Sequence, residues 1–100
     1  MDFINLTPYT YQIGNRIIVP SGTVCYVDLS DQPEMVVDEI TISRRLHGAI
    51  IDLPDRKEHT MYIVSHTVRR MTRDRGDILS PGKILKFEDG IYHLESLRRI

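Results

Sequence analysis

One hundred residues, 41% hydrophobic and 27% charged, have the size and composition of one globular domain able to bury a modest core without disulfides or metal. No apolar run reaches the roughly 20 residues of a membrane helix, the opening Met1-Asp-Phe-Ile-Asn-Leu-Thr-Pro8 lacks the features of a secretory leader, and the single cysteine excludes an internal disulfide framework. A cytoplasmic setting with no membrane partner is therefore expected. The net charge of −1 conceals an asymmetry, because residues 1–43 carry one basic side chain (Arg16) against six acidic ones and residues 44–100 carry twelve against eight. Such a division produces either opposed faces that steer a charged partner or simply solvated surface charge.

Strand patterns dominate the chain. Phe3 to Leu6 alternates ahead of Thr7-Pro8, Tyr9 to Ile13 alternates again, and Gly14-Asn15 links it to Arg16–Val19 as a hairpin. Pro20-Ser-Gly22 is a turn, and Thr23 to Leu29 is a β-branched strand that holds Cys25 as a small buried hydrophobe. Ser30 to Pro33 reads as a polar loop, Met35–Val37 and Glu39 to Ser43 as short strands ended by Arg44-Arg45, and His47 to Leu53 as another strand. Residues 54–59 form an exposed turn, and Met61 to Ser65 is strand again.

From His66 the apolar spacing becomes helical, with Ser65 as N-cap and Gly76 as the left-handed residue that ends the helix. Asp77–Leu79 returns to the sheet before the Ser80-Pro-Gly82 turn, Ile84 to Phe87 alternates, and Asp89-Gly90 is a two-residue hairpin turn into Ile91–Leu94. The expected fold is mainly β (α+β), a single-domain small rolled sheet or barrel of about seven or eight short strands with one short helix near residues 66–74.

The chemistry concentrates between Tyr62 and Gly82. Arg69, Arg70, Arg73 and Arg75 carry planar guanidinium forks that match phosphate or carboxylate, and Ser65 and His66 lie beside them, so these six residues form the expected ligand-binding set. The alternative is a solvated face in which Asp74 or Asp77 neutralises some of the arginines. Adjacent Ser65 and His66 diverge on either a strand or a helix, which disfavours a Ser/His hydrolase. The phosphate-binding and metalloprotease motifs that depend on local sequence do not occur. His47, His59, His66 and His93 show no chelating spacing, so neither metal nor cofactor is expected. A pI near 6.4 disfavours double-stranded DNA, and Tyr9, Tyr11, Tyr26 and Tyr62 could stack single-stranded bases, but tyrosine on strands more often reflects β-propensity and packing, so no nucleic-acid partner is expected.

Asn5-Leu-Thr-Pro8, Pro20-Ser-Gly-Thr-Val24, Gly48 followed by Leu53-Pro54, Tyr62-Ile-Val-Ser65, and Arg75-Gly-Asp77 with Pro81 stand in one order and spacing. Read together, they resemble a family of small proteins of bacteria, prophages and phages. Members commonly open with Asn-Leu-Thr-Pro-His and carry Tyr-Ile-Val-Ser and a later Arg-x-Asp…Pro element. This chain departs from that pattern at Tyr9, where the family has histidine, and in the arginines of residues 68–73.

The resemblance implies a phage-associated setting and carries no catalytic assignment. The expectation is a non-enzymatic, homo-oligomeric binding protein that sequesters a phosphorylated small molecule, such as a nucleotide signal, or binds an acidic host defence protein. The rivals are a phage structural or accessory protein and a nucleotide-processing enzyme.

Overall fold

A computed structural model describes residues 1–99, apart from the side chain of His47. The chain is mainly β. In order it forms β1 (Asp2–Asn5), β2 (Thr10–Ile13), β3 (Arg16–Ile18), β4 (Tyr26–Val37), β5 (Ile40–Ile51), β6 (Thr60–Ile63), helix α1 (His66–Met71), β7 (Ile78–Pro81), β8 (Ile84–Glu88), β9 (Ile91–Leu94) and β10 (Leu97–Arg98). These form three open sheets, ordered β1-β6-β7-β10, β3-β2-β9-β8 and β4-β5, rather than a closed barrel.

β6 organises the body. It pairs in parallel with β1 on one side and β7 on the other, and α1 is the crossover that parallel β6 and β7 require. Successive side chains on a strand face opposite ways, so the end of β6 serves two cores. Tyr62 and Val64 pack with Leu6, Cys25, Val27, Val68 and Ile78 on one side, and Ile63 packs with Tyr11, Ile18 and Leu94 on the other. Each fully buried aliphatic here, such as Leu6 or Ile63, contributes about 1.5–3 kcal/mol by leaving water.

The helix begins as expected. Ser65 is extended and its Oγ accepts the Val68 N–H at 3.3 Å. Its end differs from expectation: Gly76 is not left-handed, because Thr72 closes the helix four residues earlier. The Thr72 hydroxyl donates to the Val68 carbonyl at 2.9 Å and its N–H to the Arg69 carbonyl, so the last turn needs no glycine.

The larger difference lies in β4 and β5. The loop expected at Ser30–Pro33 and the break at Arg44-Arg45 are absent, and residues 26–51 form one long hairpin of two twelve-residue strands that pairs with no other strand among the described residues. Two bulges interrupt its register: Gly48-Ala49 stand opposite Asp28, and Glu34 is the extra residue between Pro33 and Met35. A Cβ on Gly48 would lie 2.9 Å from the Asp28 carbonyl oxygen, so glycine permits the first bulge. A chain of 54 × 32 × 24 Å extents carries this ribbon as an arm.

The arm turns at Asp38 (φ 50°) and Glu39 (φ 67°), both left-handed without a glycine. Asp89-Gly90 makes the same positive-φ turn with favourable residues. Glu39→Gly is expected to stabilise the arm tip by about 1 kcal/mol. Amide hydrogen exchange around the turn should slow by about fivefold as a result, and unchanged exchange would contradict this reading of the turn.

Candidate functional site

A cleft of about 510 Å³ opens between the root of the arm, the Leu6–Tyr11 segment, the start of α1 and β9. Its chemistry is set by Tyr9, Tyr11, Tyr26 and Tyr92 among aliphatic side chains, with Ser65, His66 and Thr67 on one wall. Tyr9 and Tyr92 meet edge to face with centroids 5.4 Å apart, and Tyr92 also packs against Tyr11 (6.2 Å) and Phe87 (4.5 Å). The parallel register that sets Tyr11 beside Tyr92 produces this cluster.

The segment that carries Tyr9 is fixed by Asn5. Its Nδ2 donates to the Tyr9 carbonyl at 2.6 Å and, at 3.5 Å, to the Ile18 carbonyl. Its Oδ1 accepts from the Thr7 N–H at 3.0 Å and the Thr7 hydroxyl at 2.6 Å. The Tyr11 hydroxyl lies 3.2 Å from Thr7 Oγ1, and burial raises its pKa. Leu6 meanwhile ties into the body, donating to the Ile63 carbonyl and accepting from the Cys25 N–H. Three of the sequence segments that carry the resemblance, Asn5–Pro8, Pro20–Val24 and Tyr62–Ser65, thus contribute to the cleft or its supports.

His66 Nδ1 sits 3.2 Å from the hydroxyl of Ser80, which is fully buried. That contact occupies one ring nitrogen and leaves Nε2 for another partner. Burial and then the charges of Arg69, Arg98 and Arg70 lower the His66 pKa, so the ring is neutral at pH 7. Arg69 and Arg70 lie on α1 and Arg98 stands opposite Ser80 in the β10–β7 register, and none of the three lines the cleft. Arg69 Nε is buried with no hydrogen-bond partner among the described residues. No carboxylate lies within 4 Å of Arg69, Arg70, Arg73 or Arg98 in that same set.

Of the six residues expected to bind a ligand, Ser65 and His66 line the cleft, and Arg69 and Arg70 lie near His66. Arg73 is exposed beyond the helix. Arg75 is engaged within the chain: Nε and Nη2 bind both oxygens of Asp77 at 3.0 and 2.6 Å, and Nη1 donates to the Pro54 carbonyl at 2.9 Å. The guanidinium also lies 6.0 Å from the Tyr62 ring centroid, and Tyr62 is buried in the core and does not itself line the cleft.

Tyr92 lines the cleft and Arg98 stands opposite Ser80, and neither was singled out in the sequence. The alternation of Tyr9 and Tyr11 signals a shared face, but only the β2–β9 pairing brings Tyr92 to it. Cys25 also lines the cleft, but burial foremost, with Asp52 adding, raises its pKa to about 11, so the thiol stays protonated and is no nucleophile at neutral pH. No helix among the described residues is long and apolar enough to cross a membrane. Comparison with protein-family models, with curated proteins and with solved structures finds no match for this chain.

Proposed function

We propose that this chain is a non-enzymatic binding protein whose cleft holds a phosphorylated small molecule with a planar ring, a ligand of the nucleotide class. The observation that carries the reading is the union, in one cleft, of a tyrosine cluster with a wall of Ser65, neutral His66 and Thr67 backed by Arg69 and Arg98. Tyrosine faces stack planar rings, and hydroxyls, an imidazole and free guanidinium groups satisfy phosphate oxygens. The cleft volume falls within the range that encloses small organic ligands.

Binding is favoured over turnover because none of the described residues lining the cleft is a carboxylate that could serve as acid or base with His66. Ser65 Oγ is held as acceptor of the Val68 N–H in the helix cap, which leaves its proton to donate to a phosphate oxygen. The proposed setting is phage-associated, a reading supported by the resemblance to phage and prophage proteins, and the proposed use is to sequester a nucleotide signal of host defence.

A thermal-shift screen against cyclic nucleotides and ADP-ribose derivatives tests the proposal. Ligand at about 100 times Kd stabilises by about 2.7 kcal/mol, a rise of roughly 13 °C for a chain this size. Tyr92→Ala and Arg69→Gln should each abolish the rise. A panel that leaves the melting temperature unchanged counts against the ligand class, and release of product from any member favours an enzyme.

A further inference from the structure

Beyond its root, where Val27 joins the core, β4 is exposed to its end, and the arm pairs with no third strand among the described residues. Its cross-strand pairs Met35–Ile42 and Val37–Ile40 place four apolar side chains on one face of the tip, each between 42% and 65% exposed. Acidic side chains surround them: residues 31–42 contain Asp31, Glu34, Asp38 and Glu39 and no basic residue. Asp31 stands opposite Arg45, and among the described residues Glu34 alone of the four has a cation within 4 Å, Arg44 at 3.8 Å with both side chains largely exposed.

A two-stranded ribbon is marginally stable alone in water, because it has no third layer to cover an apolar face. Twelve extended residues span about 40 Å, which carries the tip away from the body that holds its root. Pro33 and the two bulges interrupt the ribbon's edges, which opposes strand addition along them and leaves the apolar face as the contact.

The chain itself carries the complementary surface. Helix α1 exposes Met71 between Arg70 and Arg73, and neither arginine has a carboxylate within 4 Å among the described residues. We propose that the β4–β5 arm is a self-association arm: the apolar tip of one copy docks on α1 of a second, with Asp38 and Glu39 facing Arg70 and Arg73. Reciprocal exchange about a two-fold axis satisfies both arms and closes the assembly as a dimer. The inference does not depend on the ligand reading, which uses Arg69, Arg98 and the cleft.

Light scattering behind size-exclusion chromatography, at micromolar concentration and without ligand, tests it. The wild type should run at twice the chain mass, and Val37→Asp with Ile40→Lys should run as a monomer. A monomeric wild type overturns the proposal, and so does a dimer that survives the double substitution. The charge contacts have their own test. Asp38→Arg with Glu39→Arg in one chain, and Arg70→Glu with Arg73→Glu in another, should each weaken association at least tenfold and recover it when mixed. Failure of the mixture to associate, with both variants folded by circular dichroism, overturns the docking of tip on helix.

Discussion

Asn5→Ala is expected to lower the unfolding free energy by about 3 kcal/mol, roughly 15 °C in melting temperature for a chain of this length. Asn5 is 1% exposed and its amide makes four hydrogen bonds, two given and two received. Alanine removes all of them and leaves the Tyr9 carbonyl and the Thr7 N–H without their partners. Leaving buried polar groups unpaired is what makes such a loss large, since each costs about 1–3 kcal/mol.

Asn5→Asp keeps the acceptor to Thr7 but loses the donor to Tyr9, so its effect should be intermediate. Chemical denaturation followed by circular dichroism separates the cases. An alanine variant within 1 kcal/mol of wild type would show that the amide does not organise this segment. The functional consequence is specific: Tyr9 lines the cleft, so Asn5→Asp should also weaken any ligand that stacks there.

Asp77→Ala is expected to cost about 2 kcal/mol. The Arg75 and Asp77 side chains are 17% and 8% exposed, and removing the carboxylate leaves a largely buried guanidinium with only the Pro54 carbonyl. Breaking a buried pair costs about 3–5 kcal/mol, and the access that Arg75 keeps to water reduces the figure here. The pH dependence has a definite sign. The hydrogen bonds from Arg75, foremost, hold the Asp77 pKa below its ordinary 3.8. Its contribution is therefore complete above about pH 4 and disappears as pH falls through the lower folded-state value. Urea unfolding from pH 6 to 2 should show wild type and Asp77→Ala converging at the acid end. A gap that stays constant over that interval would contradict the pairing.

Much of the fold was legible because alternation and turn chemistry are local. Asp89-Gly90 adopts the positive-φ turn its residues favour, and Ser65 caps the helix that begins where the apolar spacing changes. The arm was not legible because its signals conflict. Ser30–Pro33 is polar and contains a proline, yet a ribbon exposed on both sides tolerates polar residues, and its tip turns on Asp38-Glu39, a pair with no hairpin signature.

The site was half legible. Ser65 and His66 reach the cleft, but the parallel registers that assemble its tyrosines join residues some eighty positions apart, Tyr11 with Tyr92, and no local pattern encodes them. Nor does sequence spacing show that Arg75 turns to Asp77 while Arg69 keeps a buried Nε without a partner among the described residues.

Amide chemical-shift mapping by two-dimensional NMR, with cyclic nucleotides and ADP-ribose derivatives titrated into the intact chain, tests most directly whether the tyrosine cleft is the binding site. Saturable shifts should fall on Thr7, Tyr9, His66, Thr67, Arg69 and Tyr92 and be absent in Tyr92→Ala. Spectra that no compound in the panel perturbs at millimolar concentration, or shifts gathered instead around His59–Met61, would contradict it.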